Sequence, residues 1–433
     1  MRRLRVGFAR CDITPRLGLP LGGYGARLGG ADGVLDRLFC HAALFDDGND
    51  AFALAALDLV HVFGDWAARV RSRIRRRLGI AADRVLVAAI HTHAGPGVFR
   101  SSIERDDRLA DYEEKLIEQV ATCVGDAAAA AVPASLRFGS AATAGIAANR
   151  RDPAVPVDEN VRVLSAHRSD GALLGAVANF ACHPTVLPAA NHGYSGDLLG
   201  VGSERAARIL GAPVLFLNGA AGDVSTRFTR RAQTHVEVER LGGLLAGAVV
   251  QAIDHGGEIA GSELTGAVQT VPVRWRALPR PDAAMAQLQA AVADLERTRS
   301  GQEDAGTLRL AEARVEGAQA ELWVSSQGGW ETLFGCRPAR AEVQSLRCGN
   351  FAIVAAPGEL FSVAGTAVRS RLGDRAIVAG YANDYLGYFI PQADAAAGGY
   401  EALIAMVDPA CEAAIRRGLL QVAARAGCAL TDG

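Results

Sequence analysis

The chain has 433 residues and half of them are hydrophobic, so it is long enough to bury a sizeable core. It carries 45 Lys and Arg against 47 Asp and Glu, and this balance argues against a nucleic-acid partner or an acidic one. The eight cysteines include no C-x-x-C pair and are predicted to be buried free thiols.

The N-terminal sequence, M-R-R-L-R-V-G-F-A-R, lacks the apolar stretch of about 7–15 residues that a signal peptide needs. No apolar run reaches the roughly 18 residues of a membrane-spanning helix. We therefore expect a cytoplasmic protein without a transmembrane segment.

Apolar runs alternate with helical patterns along the chain, which is typical of the α/β class. In chain order, the sequence predicts strands at 85–90, 174–180, 214–217, 351–355 and 376–379. The apolar stripes between them predict helices at 107–130, 200–210 and 235–253. We expect a mixed β-sheet core flanked by helices, with residues 1–433 forming a single domain.

Between residues 281 and 322 the composition shifts to Ala, Gln, Glu and Arg. Two apolar stripes with helical spacing run through this segment, and a turn-like stretch at 299–306 separates them. The pattern predicts a helical hairpin packed on the body of the protein. A surface helix pair and an excursion over a functional site fit this hairpin equally well.

Polar residues capable of catalysis or metal binding follow several of the predicted strands directly. They stand in His91-Thr92-His93, Ala181-Cys182-His183, the stretch 218–225, Pro357-Gly358-Glu359 and the tyrosine-rich stretch 381–388. In α/β sheets, sites are built beyond the carboxyl ends of the strands, and Gly and Pro there allow sharp turns. We therefore expect a functional site at these strand ends.

The H-x-H pair, His91 and His93, is the most suggestive of these segments. In an extended segment the alternation of side chains places both imidazoles on one face. That placement fits two metal ligands, one ligand beside a neighbouring ring, or two hydrogen-bonded loop histidines. His183 and Glu359 fit ligand roles and also structural ones, since carboxylates often cap helices.

Taken together, these segments resemble a known family, the neutral/alkaline non-lysosomal ceramidases. The resemblance spans nearly the whole chain, and its segments come in the right order. They are G-F-A-R-C-D-I-T-P from residue 7, G-G-Y from 22, H-T-H-A-G-P-G from 91, Asn149-Arg150, N-F-A-C-H-P-T from 179, Ser195-Gly196-Asp197, G-D-V-S from 222, P-G-E from 357 and the tyrosine-rich stretch.

The resemblance implies a zinc enzyme that hydrolyses the linear amide of ceramide to a sphingoid base and a fatty acid. In that family two histidines, a glutamate and a tyrosine bind the zinc ion. The matching residues of this chain are His91, His183, Glu359 and Tyr388.

The resemblance also implies three residues that act beside the metal. It places His93 at the site without making it a principal ligand, and it aligns Arg150 with an active-site arginine. Tyr400 matches a tyrosine that follows the ligand tyrosine at a fixed distance. Zinc lowers the pKa of water to about 7 and polarises a carbonyl group, so metal-activated water is the expected nucleophile. His93, Arg150 or Tyr400 would stabilise the oxyanion or pass a proton to the leaving amine.

The chain departs from the family pattern at positions that bear on the substrate. The family's typical G-D-V-S-P-N is here G-D-V-S-T-R, which ends at Arg227, and F-I-P-Q-A-D at 389–394 replaces a Thr- and Glu-rich stretch. The family often carries a further C-terminal immunoglobulin-like domain, for which a chain ending at Gly433 has no room. We expect a small-molecule or lipid N-acyl amine as substrate, either ceramide or a related compound, with an amine preference that differs from ceramide's.

Two alternative functions fit the same sequence. One is a serine amidase whose nucleophile is Ser225, which would need a histidine base within hydrogen-bond reach. The other is a member of the fold that binds a metal or a lipid without catalysing a reaction.

Overall fold

A computed structural model describes residues 4–25, 27–96, 107–301, 303–334 and 340–431. Gly97, the last residue of H-T-H-A-G-P-G, lies outside the described residues. The strands are β1 Arg5–Asp12, β2 Gly33–Val34, β3 Phe39–Asp46, β4 Ala51–Leu57, β5 Val85–Ala89, β6 Val132–Pro133, β7 Ser135–Ala142, β8 Ala148–Asn149, β9 Asn160–His167, β10 Leu173–Phe180, β11 Gly193–Tyr194, β12 Val214–Asn218, β13 Val224–Ser225, β14 Gly257–Glu258, β15 Leu264–Pro272, β16 Arg340–Cys348, β17 Phe351–Ala355, β18 Glu359–Leu360, β19 Ala376–Ala379 and β20 Tyr388–Phe389. The α-helices are α1 Gly64–Leu78, α2 Asp107–Ala129, α3 Asp197–Leu210, α4 His235–Asp254, α5 Pro281–Ser300, α6 Ala305–Ser326, α7 Trp330–Phe334, α8 Ser362–Leu372, α9 Gln392–Ala396, α10 Tyr400–Ile404 and α11 Glu412–Arg425.

Three larger sheets form the centre of the molecule. Their strand orders are β5-β4-β3-β1-β6, β12-β10-β9-β7-β14 and β15-β16-β17-β19. Each sheet is mixed, because antiparallel pairs are joined by one parallel pair: β4 with β5, β10 with β12, and β17 with β19. The predicted α/β class with a mixed sheet core is confirmed, and the five predicted strands lie within a residue of the observed ones.

The three sheets share a hydrophobic core, and helices cover their other faces. Strand β4 shows the arrangement: Phe52 and Leu54 point into the shared core, while Ala53 and Leu57 point toward helices α1 and α2. Side chains that alternate between two buried faces explain why the central strands are apolar at nearly every position. Helices α3 and α4 cover the second sheet, and α8 and α11 cover the third.

Helix α3 begins at Asp197, three residues before the predicted start. Asp197 has φ 49, and its carboxylate accepts hydrogen bonds from the backbone N–H groups of Val186, Leu187 and Leu198. The two bonds from Val186 and Leu187 fix the start of the helix from the loop that follows β10. Apolar periodicity does not reveal such contacts.

The parallel pairs end at one place, where backbone hydrogen bonds join the three sheets. The Ala89 amide donates to the Tyr381 carbonyl over 3.1 Å, and the Gly380 amide donates to the Asn218 carbonyl over 3.0 Å. The Gly219 amide donates to Phe180 over 3.0 Å. The loops that follow β5, β10, β12, β17 and β19 therefore meet at their carboxyl ends, as the rule for α/β sheets predicts.

The predicted helical hairpin is present as α5 and α6, two consecutive helices that pack against each other. Arg276 ties it to the body: Nη1 donates to Glu321 of α6 over 2.8 Å, and Nη2 donates to the Leu403 carbonyl over 2.6 Å. Helix α6 also packs against α10. Among the described residues no helix is both long and apolar enough to cross a bilayer. The cytoplasmic location and the single domain over 1–433 stay predictions.

Candidate functional site

His91 and His183 face each other beyond the ends of β5 and β10, with ring centroids 4.8 Å apart. His91 Nδ1 lies 2.7 Å from the Val60 carbonyl, and His183 Nδ1 lies 2.5 Å from the Ala221 carbonyl. Because a carbonyl only accepts, each Nδ1 carries the proton and each Nε2 presents a lone pair. Burial lowers the pKa of His91 to about 3, so this ring is neutral near pH 7. A neutral imidazole fixed by a backbone carbonyl, as at His91, is typical of a metal ligand.

The expectation that His91 and His93 lie in an extended segment was wrong. His91 adopts φ 72, in the left-handed region, which costs a non-glycine residue about 1–3 kcal/mol. A backbone turn at His91, rather than strand alternation, therefore brings its Nε2 to 3.2 Å from Nε2 of His93. Backbone strain of this kind concentrates at functional sites.

The four residues that the family resemblance names as ligands lie together. Glu359 Oε2 is 2.9 Å from His183 Nε2 and 3.7 Å from His91 Nε2. The Tyr388 hydroxyl is 3.4 Å from His183 Nε2. Donor atoms around a tetrahedral ion with bonds of 2.0–2.1 Å lie about 3.3 Å apart. The separations and the nitrogen and oxygen donors therefore fit a zinc-sized cation, and the ligand assignment itself stays a prediction.

His93 belongs to the same cluster. The imidazole nitrogens of His91, His93 and His183 lie within 4.8 Å of one another, which makes these three a possible metal-binding group. The His93 ring packs on Gly23, where an added Cβ would lie 2.4 Å from the ring and where φ is 91. The G-G-Y segment that contributed to the family resemblance is thus the surface against which His93 rests. The guanidinium of Arg27 also donates to the His93 carbonyl over 2.7 Å.

Two tyrosines that sequence reasoning did not select anchor Glu359. The Tyr385 hydroxyl donates to Oε1 over 2.5 Å, and the Tyr381 hydroxyl donates to Oε2 over 3.4 Å. Burial alone would raise the pKa of Glu359, but His91 and His183 outweigh it and lower this pKa to about 2. Both tyrosines belong to the tyrosine-rich stretch, so their position after β19 was the available signal.

Arg150 is buried against the cluster. Its Nε donates to Glu401 Oε1 over 2.7 Å, and its Nη2 donates to the Tyr388 hydroxyl over 2.9 Å. Burial opposes its charge, but Tyr388 and Glu401 outweigh that effect and raise the pKa of Arg150 well above its usual value. A fixed positive charge therefore stands beside the predicted ligand tyrosine.

A cavity of about 250 Å³ opens above this cluster, and His93, Arg150, Tyr388 and Tyr400 line it. The Tyr400 ring lies 5.9 Å from Arg150 Cζ. Burial raises the pKa of Tyr400 above its ordinary value, so its hydroxyl stays protonated near pH 7. Helix α6 forms one wall of the cavity, so the helical hairpin does extend over the site. All seven predicted site residues lie in this region: His93, Arg150, Tyr388 and Tyr400 line the cavity, and His91 and His183 each lie within 4 Å of Glu359.

Ser225 also lines the cavity, but its contacts do not favour a nucleophile. Its hydroxyl accepts a hydrogen bond from the Arg227 backbone amide over 3.2 Å. No histidine is hydrogen-bonded to Ser225 Oγ within the described part of the chain, so the base required for serine chemistry is not in place there.

The cysteines are less scattered in space than along the sequence. The sulfur atoms of Cys11, Cys40 and Cys123 lie within 4.8 Å of one another, although the residues come from β1, β3 and α2. These three are free thiols, as predicted, but only Cys40 and Cys123 are buried, and Cys11 is partly exposed. Cys336 lies outside the described residues.

Comparisons with known proteins agree with the family resemblance. Residues 4–210 match the family profile described as neutral/alkaline non-lysosomal ceramidase, N-terminal. This range contains His91, His93, Arg150 and His183. The neutral ceramidase of Pseudomonas aeruginosa is 24% identical, and the match covers 95% of this chain and 70% of that protein.

Two solved structures share the fold over the whole chain. A ceramidase complexed with C2 superposes with a TM-score of 0.78 at 19% identity, covering 100% of this chain and 77% of the other. The crystal structure of the neutral ceramidase from Pseudomonas aeruginosa gives a TM-score of 0.77 at 20% identity, covering 100% and 76%.

Proposed function

We propose, from the match of residues 4–210 to the neutral/alkaline non-lysosomal ceramidase profile, that this chain is a hydrolase acting on the carbon–nitrogen bond of an N-acyl amine. The observation that carries the proposal is the convergence of histidine, glutamate and tyrosine donor atoms beneath a cavity lined by Arg150. The substrate would be ceramide, as the name of the Pseudomonas relative suggests, or a related N-acyl compound.

We further propose that the hydrolase uses zinc. His91, His183, Glu359 and Tyr388 would hold the ion, because their donor atoms face one another and the two imidazoles present lone pairs. Zinc supplies Lewis-acid polarisation of the carbonyl group and lowers the pKa of a water molecule. Tyr385 and Tyr381 would hold Glu359 in place, since oriented ligands bind metals more tightly.

Three residues of the chain would carry the remaining chemistry. The Arg150 guanidinium faces the cavity, is held by Glu401, and would stabilise negative charge developing on the amide oxygen. The His93 ring is neutral because burial lowers its pKa well below the ordinary value. A neutral imidazole at this position would accept a proton and deliver it to the departing nitrogen. The Tyr400 hydroxyl remains protonated and would donate a hydrogen bond to the substrate.

A direct test combines metal analysis with hydrolysis assays. Purified protein should contain about one zinc per chain and should release amine from N-acyl amines, with loss of activity in a chelator and recovery on adding zinc. His91→Ala should lose both the metal and the activity. His255→Ala, which removes an exposed histidine beyond the end of α4, is the matched control and should retain both.

Two outcomes would contradict the proposal. Turnover that survives metal removal, together with an acyl adduct on Ser225 detected by mass spectrometry, would establish the serine alternative. Bound zinc without turnover of any N-acyl amine would instead establish a binding protein.

A further inference from the structure

The cavity above the donor cluster is rich in positive charge. Its wall carries four arginines and, within the described part of the chain, two glutamates: Arg150, Arg227, Arg230, Arg309, Glu312 and Glu316. A lipid-binding cavity of drug-like size is normally lined mainly by apolar side chains. The charged wall therefore indicates a ligand that presents a polar or charged group to it.

Two of the four arginines have acidic partners. Arg150 is paired with Glu401 over 2.7 Å. Arg309 donates from both terminal nitrogens to Glu316 over 2.8 Å and 2.8 Å, which is a bidentate ion pair. The positive charges of these two guanidinium groups are therefore balanced by carboxylates of the protein itself.

Arg227 and Arg230 have no carboxylate in direct contact among the described residues, although Glu401 and Asp197 act on them from a greater distance. Arg227 donates to the Arg150 carbonyl over 2.9 Å, and Arg230 donates to the Thr185 carbonyl over 3.1 Å and to the Thr226 hydroxyl over 3.5 Å. Neither forms an ion pair with a carboxylate of the described residues. A guanidinium has five N–H donors, so most donors of both residues remain available.

Both arginines are only partly exposed to solvent, and the effect of this burial is seen in the pKa of Arg227. Burial and the neighbouring charge of Arg150 together lower its pKa to about 9, although Glu401 acts in the opposite direction. Charged groups held away from water are costly unless an opposite charge meets them. A ligand that carries negative charge would remove that cost.

The backbone holds the two side chains in a fixed relation. They stand three residues apart on a turn in which the Arg230 amide donates to the Thr226 carbonyl over 2.8 Å. The Arg227 amide is held by the Ser225 hydroxyl. Arg227 is also one of the two residues, with Thr226, at which G-D-V-S-T-R departs from the G-D-V-S-P-N typical of the family.

We propose that Arg227 and Arg230 form an anion-binding subsite and that the substrate is an N-acyl amine carrying a carboxylate or a comparable oxyanion. This inference rests on the proposed amide hydrolysis and specifies its substrate class. Guanidinium forks match carboxylates bidentately, and two of them would fix both the charge and the orientation of the substrate. N-acylated amino acids satisfy this requirement.

The test uses three amides of similar length with the intact chain loaded with zinc. N-octanoylglycine carries its carboxylate on the amine side, and the monoamide of octanedioic acid with ethanolamine carries it on the acyl side. N-octanoylethanolamine is the neutral reference. We expect kcat/KM for one of the two charged amides to exceed that for the neutral amide at least about 10-fold. Which of the two charged amides is preferred shows whether the anion lies on the amine side or on the acyl side of the scissile bond.

Three variants assign this preference to the subsite. In Arg227→Asn and in Arg230→Gln the ratio of charged to neutral kcat/KM should fall at least about 10-fold, mainly through KM. Arg227→Lys should keep part of the ratio, because it keeps the charge without the fork. Arg231→Gln removes the next, exposed arginine along the chain, which does not line the cavity, and should leave the ratio unchanged.

The inference and the proposed function fail in different ways. If the neutral amide is hydrolysed as fast as the charged ones, or if Arg227→Asn slows all three equally, the subsite is refuted and amide hydrolysis stands. If no amide is hydrolysed, the proposed function fails, and calorimetric binding of N-octanoylglycine decides the subsite. Binding that Arg227→Asn weakens about 10-fold supports the subsite, and absence of binding overturns it.

Discussion

Replacing Asn218 with alanine should weaken both the fold and the metal site. The Asn218 amide group donates to the Ile90 carbonyl over 3.0 Å and to the Cys182 carbonyl over 3.2 Å, and its oxygen faces the Cys182 amide at 3.3 Å. Ile90 and Cys182 immediately precede His91 and His183. One buried side chain thus ties together the two loops that carry the histidines.

The expected loss of stability in Asn218→Ala follows from the backbone groups that would lose their hydrogen-bond partner. A buried carbonyl that loses its hydrogen bond costs about 1–3 kcal/mol, so two carbonyls predict a loss of about 2–6 kcal/mol in the free energy of unfolding. Residues that orient metal ligands typically change affinity by about 10–100-fold when they are mutated. Asn218→Ala should therefore lower zinc affinity by that factor.

Asn179→Ala is the matched control. Asn179 is also buried and donates to two carbonyls, those of Leu217 at 2.8 Å and Val378 at 3.3 Å, but neither acceptor adjoins a histidine. Urea unfolding should give similar losses of stability for the two variants. Competition with a chromophoric chelator should show weakened zinc binding for Asn218→Ala alone. Equal zinc affinity in both variants would refute the positioning role of Asn218.

Three further predictions concern the same region. Tyr385→Phe removes the 2.5 Å bond to Glu359, so kcat should fall about 10–100-fold with the far-ultraviolet circular dichroism unchanged; wild-type kcat would contradict this. Chelation should lower the free energy of unfolding by about 2.7 kcal/mol relative to protein in zinc at 100 times its Kd, and a melting temperature insensitive to chelator would refute metal binding. Burial raises the pKa of Asp58 to about 8, although the hydrogen bond that its carboxylate accepts from the Phe39 amide opposes the shift. Because the pKa is raised in the folded protein, Asp58 contributes most to stability below pH 4, and this contribution is lost as the pH rises toward 8. The free energy of unfolding should fall by up to about 1.4 kcal/mol per pH unit in that range. Asp58→Asn should therefore flatten the decline, as measured by urea titrations at pH 5–8. Parallel profiles for wild type and variant would contradict this.

Local sequence patterns predicted the elements well where a single element carries the signal. The strand 351–355 was placed without error because a short apolar run ends abruptly at Pro357 and Gly358. The hairpin was visible from two apolar stripes with helical spacing. In both cases the information lies within about twenty residues, which is the range over which periodicity can be detected.

The site was predictable only in part, because its geometry depends on contacts between distant segments. The polar residues after the strands identified His91 and Glu359 as candidates. The left-handed turn at His91 and the hydrogen bond from Tyr385 to Glu359 carry no periodic signal. The Asn218 contacts join residues 128 and 36 positions away along the chain, so no local pattern could show them.

The base and the wall of the cavity come from different parts of the architecture. The donor atoms at the base project from the carboxyl ends of parallel strand pairs, and hydrogen bonds between three sheets fix those ends. The wall comes from the turn with Arg227 and Arg230 and from α6, which carries Arg309. All three arginines lie beyond residue 210, where the family profile ends. The profile match therefore covers His91, His93, Arg150 and His183, whereas Glu359 and Tyr388 at the base lie outside it together with these three arginines of the wall. We expect a change such as Arg227→Asn to alter the preferred substrate without moving a strand end, because the hydrogen bonds from the amides of Ala89, Gly219 and Gly380 that join the sheets do not pass through that turn.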